Sequence, residues 1–99
     1  MAALDTNIVV RLVIGDDAKQ ARAADKLVAL SVCTIAPSVL MGCEWVLRAG
    51  YRLDANLTAI SMRDLLMLHN IEASEPVITQ KTLQGYEAGL DFADALHAA

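Results

Sequence analysis

The stretch Ala2-Ala3-Leu4-Asp5-Thr6-Asn7, an apolar run cut off by a carboxylate, a hydroxyl and an amide, constrains this chain more than any other. Followed at once by Ile8, Val9 and Val10, it reads as a buried strand whose carboxyl end carries the polar group and leads into a helix. In open parallel sheets ligands bind at that end of the strands, so Asp5 stands where a site would be. A carboxylate there must be solvated by a cleft, paired, or bound to a cation, because an unpaired buried charge is expensive. Two further acidic positions, Glu44 and the pair Asp91 and Asp94, fall at comparable breaks downstream.

The remaining stretches alternate in the same way. Residues 8–14 form a short apolar helix that Gly15 closes as a C-terminal glycine. Asp16 and Asp17 open an amphipathic helix over residues 18–30, with Ala21, Ala24, Leu27 and Val28 on one side and Lys19, Arg22, Asp25 and Lys26 mostly on the other. Val32 to Ala36 is a second buried strand, and Pro37 lies in the first turn of a helix running Ser38 to Ala49 and stopping at Gly50. Val39, Leu40, Cys43, Val46 and Leu47 make its core face, which leaves Glu44 beside that stripe rather than opposite it. Gly42 inside a helix costs about 1 kcal/mol relative to Ala, which points to a close approach there.

Asp54 caps a helix over Asn56 to Leu68, with Leu57, Ile60, Leu65 and Leu68 as core positions and Arg63 and Asp64 exposed. Residues 70–73 read as a weak third strand, Glu75-Pro76 begins a helix to about Ala88 that Gly89 ends, and a last helix starts near Asp91. This order predicts an α/β fold with a parallel sheet covered on both faces. Three strands make a small sheet, so one or two further strands are expected beyond Ala99.

Ninety-nine residues suffice for a single domain, and a chain of that length buries about 65% of its unfolded surface. The 56% hydrophobic and 20% charged content is that of a globular protein. A formal net charge of −4 argues against binding nucleic acid mainly by phosphate neutralisation. Yet seven of the eight basic residues precede residue 64, which leaves room for a local basic rim. Arg11, Arg48 and Arg52 are candidates for phosphate contacts, weighed equally against ordinary surface solvation.

Cys33 and Cys43 lack CxxC or zinc spacing and read as buried, inert thiols. The N-terminus lacks the basic region of a signal peptide. Residues 27–43 carry no charge, but Pro37 and polar residues interrupt them short of the ~20 apolar residues of a membrane span. No membrane is expected, and the cytoplasm is the expected location.

Separated acids brought to one place repel one another unless a cation compensates. A hard ion such as Mg²⁺ or Mn²⁺ takes carboxylate and water oxygens, activates a water and holds a phosphodiester for displacement. Three of the four acids also have a structural alternative, and Asp5 does not. Asp91 and Asp94 would serve as first-turn helix caps, and Glu44 would form an i,i+4 pair with Arg48. His69 and His97 have no partners at ligand or triad spacing and read as surface residues. For Trp45, stacking on a base competes with core or dimer packing, and packing is favoured for one isolated aromatic.

Leu4-Asp5-Thr6-Asn7, Glu44-Trp45-Val46-Leu47-Arg48 and Asp91-Phe92-Ala93-Asp94-Ala95-Leu96, in that order and spacing, together resemble the PIN-domain nucleases. The resemblance is closest to the VapC-type toxins of bacterial toxin-antitoxin pairs, and it covers the whole chain. It implies a Rossmann-like three-layer α/β/α fold with a central parallel sheet and a Mg²⁺-dependent endoribonuclease activity. By the same resemblance, Asp5 and Asp94 are metal ligands, Glu44 reaches the metal or its water, and Asp91 is an accessory carboxylate. Thr6 and Asn7 would fix the Asp5 loop by hydrogen bonds. The implied partners are an RNA substrate, a cognate antitoxin and a second copy in a homodimer.

The chain departs from the family pattern after Ala99. A further strand-turn-helix with a fourth acidic residue is expected there, so residues 1–99 would be a single PIN-like domain incomplete at its C-terminus. Two alternatives stand beside the ribonuclease: an inactive or truncated scaffold acting only through a partner such as an antitoxin, and a generic metal-dependent phosphatase using the same carboxylates.

Overall fold

The break at Asp5 forms as a strand end joined to a helix start. In the computed structural model, which describes residues 2–15, 26, 29 and 31–99, β1 (Ala2–Ala3) leads into α1 (Thr6–Ile14). Asp5 is the N-cap, with extended backbone at φ −91° and ψ 168°, and its side chain accepts from the Ile8 N–H at 2.9 Å. That bond satisfies one of the N–H groups a helix start leaves without an internal partner. Gly15 ends α1 in the left-handed conformation at φ 62°, donating to the Arg11 carbonyl, as its place in the sequence predicts. The amphipathic helix expected over residues 18–30, with Asp16 and Asp17 before it, lies outside the described residues apart from Lys26 and Ala29.

The described elements continue with β2 (Cys33–Ile35), α2 (Pro37–Ala49), α3 (Ala55–Leu66), β3 (Ile71–Ala73), α4 (Pro76–Glu87) and α5 (Phe92–Ala98). The strands form one parallel sheet in the order β1-β2-β3, pairing Ala2 with Cys33 and Cys33 with Ile71. This is the predicted α/β architecture. The central strand is the most deeply buried, with Cys33 and Ile35 both fully inside. Leu40, Cys43 and Leu47 of α2 also lie in the core, on the face that their spacing predicts.

The face of α3 differs from expectation. Leu57, Ile60 and Leu68 are exposed at 47%, 51% and 48%, while Thr58, Ala59, Met62 and Leu65 are buried. Both sets have helical spacing, so periodicity alone does not choose between them. Thr58 is fully buried because its hydroxyl donates to the Asp54 carbonyl at 2.8 Å, which removes the cost of burying an unpaired polar group. Leu65 is buried as expected and Met62 joins it, while Leu57 and Ile60 lie outside. Leu68 lies past the end of the helix.

A guanidinium joins α3 to α4. Arg63 donates from Nε and Nη2 to the two carboxylate oxygens of Glu87 at 2.8 and 2.7 Å, and from Nη1 to Gln80 Oε1 at 2.9 Å. The hydrogen bonds from Arg63 hold the Glu87 carboxyl below its ordinary value of 4.5. A depressed carboxyl stabilises the fold above its unfolded value, and the contribution is lost as pH falls through the folded value. The pair is only half-buried, with side-chain exposures of 32% and 39%, so solvent screens it. Arg63→Ala is expected to lower stability by about 0.5–1 kcal/mol at neutral pH and low salt. The difference between variant and parent should shrink below about pH 4, as read from paired chemical denaturation curves. A gap that persists unchanged at acid pH would mean that Arg63 acts by packing its stem rather than by charge.

Candidate functional site

Three of the sequence-predicted acids stand at helix starts. Asp5 caps α1 and is exposed. Asp91 caps α5, accepting through Oδ2 from the Ala93 N–H at 3.1 Å, and Asp94 occupies the first turn of the same helix. Capping, the alternative for Asp91, describes that residue as it stands, and Asp5 is a cap as well. Asp94 is exposed and has no hydrogen-bond or ion-pair partner among the described residues. What orients this short helix is Phe92, buried at 2% exposure with its ring edge-on to Tyr86 at 5.4 Å and 70°. With Phe92 and Ala95 inside, Asp91 and Asp94 are turned to solvent.

Glu44 is held differently. Its Oε2 accepts from the Tyr86 hydroxyl at 2.8 Å and lies 3.7 Å from Arg48 Nη1, which in turn donates to the same hydroxyl at 3.4 Å. The i,i+4 pair with Arg48 thus forms, and Tyr86 of α4 completes a three-membered network. Burial, ahead of its hydrogen bonds, pushes the Tyr86 phenol up, and the bond to that phenol holds Arg48 more firmly charged. Sequence reasoning missed Tyr86, which lies 42 residues from Glu44 and belongs to no motif. Next to Glu44, the buried Cys43 thiol is pushed up to about 12, first by burial and then by the Glu44 charge. That agrees with an inert thiol.

The close approach expected at Gly42 is made by Thr6. A Cβ at Gly42 would come within 2.9 Å of Thr6 Oγ1 and 3.3 Å of its Cγ2, so the residue after Asp5 rests on the missing side chain of α2. Thr6 supports the Asp5 loop by packing; neither its hydroxyl nor the Asn7 amide forms a hydrogen bond among the described residues. Gly42→Ala gains about 1 kcal/mol of helix propensity, yet it forces a stiff β-branched neighbour to move. A net loss of stability is expected, and Thr6→Ala in the same chain should recover most of it. Thermal melts of the two single variants and the double variant give the coupling directly. Additive effects would remove Thr6 as the reason for the glycine.

Beside this contact runs an open groove of about 400 Å³ lined by Ser38, Met41, Gly42, Glu44, Trp45, Asp91 and Ala93. It brings Glu44 and Asp91 to one surface, with Thr6 against its Gly42 edge. Among the described residues, no three of His, Cys, Asp and Glu are grouped closely enough to hold a metal ion. The donor chemistry nonetheless fits a hard divalent ion. Among the described residues, Asp5, Glu44 and Asp91 each commit one carboxylate oxygen to the bonds above and keep the other, and Asp94 keeps both. Mg²⁺ characteristically uses one or two protein carboxylates and fills its octahedron with water and substrate oxygens.

The remaining candidates are dispersed. Arg11 is half-buried in the last turn of α1, while Arg48 and Arg52 are exposed. His69 and His97 are both exposed, as expected. Of the two packing alternatives for Trp45, its 68% exposure removes the core one. It lies on the solvent side of α2, opposite the buried Leu40, Cys43 and Leu47 stripe. No helix among the described residues is long and apolar enough to cross a membrane.

Comparison with known proteins bears on this geometry at the level of the family. The model of the PIN domain matches residues 2–99. No curated protein and no solved structure matches the chain. PIN domains are generally nucleases and typically use divalent metal ions, which accords with exposed carboxylates at two helix starts beyond a parallel sheet. With a family match from Ala2 to Ala99 and an α/β fold of the kind that match requires, the chain belongs to the PIN-domain family.

Proposed function

We propose that this chain is a Mg²⁺- or Mn²⁺-dependent endoribonuclease of the VapC toxin type, working in the cytoplasm and held inactive by a cognate antitoxin. Asp5 and Asp94 are its metal ligands, Glu44 reaches the ion or its water, and Asp91 is an accessory carboxylate. The observation that carries this reading is the placement of Asp5 and Asp94, exposed at the starts of α1 and α5 with carboxylate oxygens uncommitted, in a chain of a nuclease family. A bound divalent ion supplies charge neutralisation for the attacking and leaving oxygens of a phosphodiester and lowers the pKa of a water.

The chain's own residues do the rest. The Asp5 cap fixes the first carboxylate relative to α1, the Thr6 contact with Gly42 fixes α1 against α2, and Phe92 fixes the α5 pair. Tyr86 and Arg48 hold the Glu44 carboxylate by one oxygen and leave the other to accept a proton or orient a water. Arg11, Arg48 and Arg52 contact phosphates on either side, and the active form is a homodimer.

The test is cleavage of single-stranded RNA by the purified chain with Mg²⁺, with Mn²⁺ and with EDTA. Metal-stimulated internal cleavage that EDTA abolishes is expected, and cleavage that survives EDTA would overturn the reading. Turnover of small phosphate esters without RNA cleavage would transfer the same carboxylates to a phosphatase. No cleavage, with retained binding of an antitoxin, would leave a scaffold.

A further inference from the structure

The exposed face of α2 runs Met41, Trp45, Arg48, at i, i+4 and i+7, and reaches the exposed Arg52 just past the helix end. Trp45 is 68% exposed and Met41 38%, and both line the groove that holds Glu44 and Asp91. A large indole left in water at the wall of an acidic groove, with guanidiniums on one side only, is not explained by packing among the described residues. We propose that Trp45 is a nucleobase-stacking platform for single-stranded RNA, with Arg48 and Arg52 receiving the phosphates that follow. The inference rests on the ribonuclease reading and adds a substrate feature to it: an unpaired base next to the cleaved position.

Three physical points support this occupant. An aromatic face accepts any base, and bases are free to stack on a side chain only where they are not already stacked in a duplex. The charge along α2 is polarised. Without a bound ion, Glu44 and Asp91 at the groove repel phosphate while Arg48 and Arg52 attract it, so the flanking strand lies with its backbone toward residues 48–52 and one base turned onto Trp45. Arg48 also remains able to donate, because only its Nη1 is used in the bonds to Tyr86 and Glu44.

Trp45 is the only tryptophan in the chain, so its emission reports the contact directly. Titration in EDTA with a short single-stranded RNA is expected to quench it saturably, and the same RNA annealed to its complement is expected not to. Trp45→Ala should raise Kd in EDTA, and KM in Mg²⁺, by about tenfold or more, with kcat little changed. Trp45→Phe should keep most of the affinity. Because the side chain is exposed, the Tm of both variants should match the parent.

Unchanged RNA affinity in Trp45→Ala, or equal quenching by duplex, would overturn the stacking site. So would emission that responds to protein concentration or to a partner protein but not to RNA, which would assign the face to a protein interface. If the parent cleaves RNA while Trp45 emission stays indifferent, the stacking site falls and the ribonuclease stands. If the parent neither binds nor cleaves RNA, both fall.

Discussion

Phe92→Ala is expected to destabilise the chain by about 3–5 kcal/mol and to lower Tm by more than about 10 °C, since each kcal/mol moves a domain of this size by roughly 4–8 °C. Phe92 is buried to 2% exposure and is the larger of the two side chains that seat α5, a helix of seven residues. An isolated helix that short does not hold itself together in water, so its position depends on tertiary packing. The ring also abuts Tyr86, whose hydroxyl holds Glu44 and accepts from Arg48. The variant should therefore lose stability and, at temperatures where it is still folded, lose fixed placement of Asp91, Asp94 and Glu44 together. Thermal melting by circular dichroism and amide exchange over residues 91–99 measure the two effects. For comparison, Ala93→Ser at an exposed position of the same helix should stay within about 0.5 kcal/mol of the parent. A Phe92→Ala chain that melts within a degree or two of the parent would show that α5 is seated by something else.

Asp5→Asn separates two roles that one carboxylate performs. As a cap, Asn is about as good as Asp, and the lost interaction with the helix dipole is worth only a few tenths of a kcal/mol at an exposed site. The Ile8 N–H keeps an acceptor, and Tm should move by no more than a few degrees. As a metal ligand, a neutral amide is a poor substitute for a carboxylate. Loss of even an outer-sphere partner typically costs 10–100-fold, so cleavage should fall by at least about a hundredfold. Asp5→Ala should show the same loss of cleavage and a further destabilisation of about 0.5–2 kcal/mol from the missing cap. Rates from RNA cleavage and Tm from melting, taken on the same preparations, decide it. Parental cleavage by Asp5→Asn would leave Asp5 a helix cap and nothing more.

These two substitutions also mark how far the residues alone carry the reading. The position of Asp5 at a strand end, the stop at Gly15, the Pro37 entry to α2, the Asp54 cap and the buried face of α2 all follow from signals within a turn or two of each residue. Each of them forms as expected. The glycine at 42 likewise announced a close neighbour, although its sequence could not say that the neighbour would be Thr6. Where two solutions were locally equal, the residues misled. Leu57 and Ile60 have the spacing and the apolarity of core residues, and they are exposed because a threonine that satisfies its own hydroxyl turned the other side of α3 inward. For Trp45 only the core alternative is removed, since being aromatic says nothing of which way a helix faces.

What the sequence determined by itself, then, is the described elements, most of their ends, the parallel α/β class and the family. These depend on short-range sterics, caps and periodicity, and such terms act between residues close along the chain. Only the tertiary structure decided that Glu44 is held by Tyr86 and Arg48, that Glu44 shares a groove with Asp91, and that an indole stands open beside them. Those outcomes depend on how helices rotate and settle against one another, a balance summed over many weak contacts between distant residues that no single stretch of sequence contains.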